Sequence, residues 1–139
     1  DKNVGGVMVY ARTKTAAAEL SKAVQEGSMV KEYMAMVHGT PPESGDWEDF
    51  LFKDSRKNKV FTVKKERKGV KYARLEFQRL TAGEISLVRI RLHTGRSHQI
   101  RVQFSSRGAA TAPMLFSCRI SLPWRGETRV FEASPDWAN

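Results

Sequence analysis

The chain has 139 residues, of which 24 are Lys or Arg and 15 are Asp or Glu, giving a formal charge of +9; 40% are hydrophobic. That balance supports one packed core, leaves too little for two, and excludes a disordered chain. With no apolar run near the roughly 18–20 residues that span a bilayer, no stretch that reads as a signal peptide, and a single cysteine that cannot form an internal disulfide, a soluble cytoplasmic domain that meets polyanions is expected.

In chain order, Val7-Met8-Val9-Tyr10 is a continuous apolar run, the pattern of a strand buried on both faces. Thr13 or Thr15 caps a helix through Gln25, with Ala17, Leu20, Ala23 and Val24 as its apolar face and Gly27 at its stop. Met29 to His38 reads as a strand and Pro41–Gly45 as a loop. Short strands follow at Trp47–Phe52 and Val60–Val63. Val70 to Leu80 alternates, with Ala73, Leu75 and Phe77 on one side. Leu87 to Leu92 alternates too, with Val88, Ile90 and Leu92 inward. Thr81–Glu84 joins these two as a hairpin. Arg96–Phe104 reads as a short helix with Ile100 and Phe104 on one face, and Leu115–Leu122 and Thr128–Ala133 close the fold. The fold class expected is α+β: a mixed, largely antiparallel sheet with flanking helices, in one domain over residues 1–139.

The charge is uneven. Lys53 to Arg74 holds ten basic residues against Asp54 and Glu66, whereas Ile85 to Arg125 holds seven arginines and no acid. The first block reads either as a solvated hairpin whose charges protect a sheet edge or as a polyanion contact. In the second, arginines without neighbouring acids are not expected in local salt bridges, and a planar guanidinium suits phosphates and bases, so nucleic acid is the better reading. Cys118 is the single cysteine and His38, His93 and His98 are scattered, so neither a disulfide nor a zinc site is expected.

Two clusters could carry chemistry. Residues two apart on a strand share a face, so Lys31 and Tyr33 point together, beside Ala35 and Val37. A tyrosine beside a cation can act as a general acid or base; the plainer reading is a core ring with its hydroxyl at the rim. The second cluster is Thr94-Gly95-Arg96-Ser97-His98-Gln99-Ile100-Arg101, a dense polar run at a strand-to-helix turn. An arginine at a helix N-terminus there suits a carboxylate or another anion.

On these residues the sequence resembles the RluA-type pseudouridine synthase family. Thr94 to Arg101 matches the family's T-G-R-[ST]-H-Q-[IL]-R over all eight positions. Lys31 to Gly39 matches K-x-Y-x-A-x-V-x-G. Asp1 to Val9 is similar to the catalytic motif H-R-L-D-[RK]-x-T-S-G-L-L-L, with Asp1 on its aspartate, and Leu115–Pro123 is similar to the closing strand. The likeness runs over nearly the whole chain with the motifs in family order. It departs from the family in three ways. The H-R-L segment, whose arginine helps hold the flipped nucleotide, is absent before Asp1. Val4-Gly5 replaces Thr-Ser. Only Ala109 to Ala112 separates Gly108 from Pro113, where the family has a longer loop. The expectation is a fragment that begins at the catalytic aspartate and is shortened after Gly108.

The resemblance implies an isomerase that converts uridines of ribosomal or transfer RNA to pseudouridine after flipping the base, with no metal or cofactor. It implies Asp1 as nucleophile, or as base at the ribose; Arg96 as its ion-pair partner; and Tyr33 stacking on the base and taking the C5 proton. Lys31 would lower the pKa of Tyr33 or contact phosphate, while His98, Gln99 and Arg101 would contact RNA or support the site. The expected partner is RNA, bound by a monomer away from membranes. The competing reading is a catalytically inactive relative that only binds RNA.

Overall fold

A computed structural model describes residues 4–138 of the chain. The described residues run β1 (Val4–Gly6), α1 (Lys14–Gln25), β2 (Val30–His38), β3 (Ser44–Asp54), β4 (Lys59–Val63), β5 (Val70–Arg79), β6 (Ile85–Leu92), α2 (Gln99–Ser105), β7 (Thr111–Trp124) and β8 (Glu127–Glu132), then a 3-10 turn at Asp136–Ala138. The strands form one sheet in the order β1-β7-β2-β6-β5-β3-β4, with β8 also on β7. β2 takes one edge of β7. β1, parallel, and β8, antiparallel, share the other, at Leu115–Ser117 and Arg119–Trp124. The remaining pairings are antiparallel, giving the mixed sheet that the alternation predicts.

Alternation decides which face is buried. Leu75 lies opposite Leu92 and Phe77 opposite Ile90, and with Ala35, Val37 and Val88 they form a continuous apolar floor. α2 packs on it through Ile100 and Phe104. The Trp47 ring, 4.4 Å from Phe77 and 4.8 Å from Phe104 between centroids, fills the corner under the helix. α1 lies towards the same face, its Leu20 and Val24 bordering a cavity with Tyr33. Thr13 caps it, accepting from the Ala16 amide at 3.0 Å, and Gly27 at φ 72° ends it. Among the described residues no helix is long and apolar enough to cross a membrane.

Three expectations need correction. Val7–Tyr10 is not a strand buried on both faces. The Val7 amide still bonds to the Ser117 carbonyl at 2.9 Å, but the chain then leaves the sheet, with Met8 68% and Tyr10 75% exposed. Helix α2 starts at Gln99 rather than Arg96, because His98 adopts φ 53° and breaks the helical path. The arginines of the acid-free stretch are largely paired after all. Arg89 and Arg119 meet Glu32, Arg107 meets Asp49 at 2.7 Å, and Arg125 meets Glu19. Folding supplies acids from distant segments that local sequence does not show.

β7 carries one feature that positions the site. Its register with β2 slips between Glu32 and Tyr33: Glu32 faces Arg119 but Tyr33 faces Ser117, leaving Cys118 as the extra residue of a β-bulge. Ser117 thereby faces Tyr33. β1 docks against the same residues at very close range. A Cβ on Gly6, at φ 108°, would lie 2.1 Å from the Ser117 carbonyl oxygen. Gly6→Ala is therefore expected to cost roughly 3 kcal/mol, lowering Tm by about 10 °C in thermal denaturation. An unchanged Tm would show that β1 does not need this approach.

Candidate active site

Tyr33 and Lys31 project from the same face of β2, as strand geometry requires. Tyr33 is largely buried between β6 and β7. That burial raises its phenol pKa above the ordinary value, and a hydrogen bond with the Ser117 side chain only partly offsets the rise. The net direction is upward, so Lys31 does not pull the phenol below its usual range.

The β6–α2 loop is built around Gln99. Its side chain is only 2% exposed as a residue and its amide is fully engaged: Oε1 accepts from the Thr94 hydroxyl at 2.8 Å and the Arg96 amide at 3.0 Å, while Nε2 donates to the Arg74 carbonyl and to Gln103 Oε1. Gln103, fully buried, in turn donates to the Trp47 carbonyl and to Asp49 Oδ2 at 2.9 Å. Asp49 also holds Arg107, whose guanidinium stacks 4.4 Å above the Trp47 ring. A buried polar relay thus ties the loop to β3, and every amide group of Gln99 is satisfied within the chain.

This frame sets Arg96. Its Nε donates to the Tyr72 carbonyl at 2.8 Å, which fixes the guanidinium plane, and its terminal nitrogens take no other partner among the described residues. Arg96, Tyr33, Gln99 and His98 all border one cleft of about 290 Å³, walled further by Val4 of β1 and Ser117 of β7. Lys31 lies on two adjoining cavities, one shared with Tyr33 and the other with Arg96. His98 holds an uncommon left-handed backbone for a residue with a side chain. Burial, and then the charges of Arg101 and Lys53, push its imidazole pKa below the ordinary value, so it is neutral at pH 7. Arg101 sits exposed on α2, outside the walls of that cleft, with its charge felt at His98. Asp1 lies outside the described residues.

The structure therefore brings Tyr33 and Arg96 to one cleft, with His98 and Gln99 on its wall and Lys31 beside it. Sequence reasoning missed Ser117 and the Gln103–Asp49 relay, and named Lys53 only as one end of the lysine-rich block. Ser117 gave no signal, because only the bulge turns it towards Tyr33. Gln103 was detectable, as a polar residue one turn after Gln99 on the apolar side of a short helix.

The sequence model of the RNA pseudouridylate synthase family matches residues 1–106, from the chain's first residue through helix α2. The chain belongs to that family. Among curated relatives, an uncharacterized RNA pseudouridine synthase of Aquifex aeolicus is 36% identical over 109 residues, covering 78% of this chain and 34% of the relative. Ribosomal large subunit pseudouridine synthase D of Zymomonas mobilis is 33% identical over 109 residues, with the same shares. The chain spans about a third of the length of these relatives. Among solved structures, human RNA pseudouridylate synthase domain containing 4 superposes with a TM-score of 0.83 at 20% identity, over 99% of this chain and 70% of that one. Its counterpart, domain containing 1, gives 0.76 at 19% identity over 90% and 62%. These two superpositions establish the shared fold. Tyr33 and Arg96 both fall within the residues matched by the family model, whereas Ser117 and the bulge of β7 lie beyond them.

Proposed function

We propose that this chain is a catalytic domain of an RNA pseudouridine synthase that converts uridine to pseudouridine in large-subunit ribosomal RNA. The observation that carries the reading is the meeting of Tyr33 and Arg96 at one cleft in a chain of this family. The choice of ribosomal RNA follows relatives named for the large ribosomal subunit. The enzyme works in the cytoplasm as a monomer.

The target uridine flips out of its RNA stem at a cost of a few kcal/mol and enters the cleft. Asp1 attacks C1′ as nucleophile or acts as base at the ribose, and the C1′–N1 bond breaks. The uracil turns over, and C5 bonds to C1′ as the C1′–O bond to Asp1 breaks or, where Asp1 acted as base, as Asp1 returns its proton to the ribose. Tyr33, stacked on the base, takes the C5 proton, and N1 ends protonated. The product is an isomer of the substrate, with no net change in electrons. Arg96 pairs with the Asp1 carboxylate through its terminal nitrogens, keeping it ionised and aimed. Gln99 is a positioning residue, since its amide holds the Arg96 backbone. Lys31, His98 and Arg101 contact RNA.

The test is tritium release from RNA labelled at uridine C5. The purified protein is expected to release tritium from large-subunit ribosomal RNA and not from transfer RNA. Release from transfer RNA alone would move the substrate. RNA binding without any release would leave the inactive RNA-binding relative.

A further inference from the structure

Beside the cleft, on the far side of Arg96, lies a second groove of about 150 Å³. It runs between the end of β3 and the starts of β4 and β5 on one side and the β6–α2 loop on the other. Its walls include Lys53 at the end of β3, Lys71 at the start of β5, and Gly95, Arg96 and Ser97 of the loop. Arg96 borders both this groove and the catalytic cleft, so the two are neighbours across one residue. Three cations from three segments converge here, and among the described residues no carboxylate lines the groove. The Lys53 ammonium is near enough for its charge to depress the His98 imidazole. Gly95 leaves the floor open: a Cβ there would meet nothing within 4 Å. Bare backbone between lysines and an arginine admits a compact anion.

We propose that this groove holds a phosphodiester of the substrate RNA next to the flipped uridine, with Lys53 and Lys71 as its cationic walls. The inference rests on the synthase reading above for the identity of the anion as RNA. It also divides the lysine-rich block by role. Lys59, Lys64 and Lys65 lie on or beside β4, the last strand of the sheet, where charge discourages edge pairing. Lys53 and Lys71 instead line the groove beside the site. Lysine, a point charge on a flexible stem, suits a backbone phosphate that carries no sequence information.

The test measures binding of in-vitro-transcribed large-subunit ribosomal RNA across a salt series, with tritium release followed on the same preparations. Lys53→Gln and Lys71→Gln are each expected to flatten the slope of log affinity against log salt by about 0.7–0.9, the loss of one phosphate contact. Arg91→Gln, which removes an equal charge from the opposite sheet face, is expected to leave the slope unchanged. Wild-type slopes in both lysine variants overturn the groove, and the synthase reading then survives if wild-type protein releases tritium. Flattened slopes with no release by wild-type protein sustain the groove and overturn the synthase reading. Equal flattening by Arg91→Gln also overturns the groove, because the effect is then one of net charge.

Discussion

Asp1→Asn is expected to abolish tritium release from C5-labelled RNA, a loss of about 10⁴-fold or more, while RNA affinity stays near the wild-type value. Asparagine keeps the size and hydrogen-bonding capacity of the side chain but carries no negative charge, so it can neither attack C1′ nor accept a proton at the ribose. Affinity for a polyanion comes from cations, and deleting a negative charge does not weaken it. Single-turnover release and filter binding on the same preparation separate the two effects. Full turnover by the variant would remove Asp1 from the role and leave Arg96 without its proposed carboxylate.

Tyr33→Phe is expected to cost 10²–10⁴-fold in single-turnover release, the usual range for loss of a general acid or base. The phenyl ring still stacks, so binding changes little. The pH profile gives the sharper readout. Burial raises the Tyr33 pKa, so the phenol is protonated at neutral pH and its proton-accepting form is a small fraction. Below that pKa each pH unit multiplies this fraction tenfold, so wild-type release should climb with pH into the alkaline range. The climb should vanish in Tyr33→Phe. A variant that loses rate but keeps the same slope would reduce Tyr33 to a stacking platform.

Much of the fold was legible because alternation and burial coincide. Ala73, Leu75 and Phe77, with Val88, Ile90 and Leu92, are period-two patterns over a face that the structure buries or half-buries. The Val7–Tyr10 run misled for the converse reason. Its apolar residues flank the cleft and α1 instead of a second strand, and alternate ones point to solvent. Lys31 and Tyr33 could be paired from their spacing alone, since nothing interrupts β2 between them. The arginines could not be read this way: Arg89 and Arg107 find their acids 57 and 58 residues away, and Arg119 finds Glu32 at 87. At such separations only topology says which charges meet.

The bulge at Cys118 also fixes a matter of parity. Before it, Leu115 and Ser117 face the side of the sheet that carries Tyr33; after it, Ile120 and Leu122 do, an odd step to an even one. Cys118 is the residue that absorbs this step. Deleting it would set Ser117 and Arg119 side by side opposite Tyr33 and Glu32, so both halves of β7 would keep their faces and the pairing with β2 would become regular. What the extra residue supplies is therefore the local bend of β7 beside Tyr33, and the strand can lose one residue at this point without turning Ser117 or Ile120 to the other side.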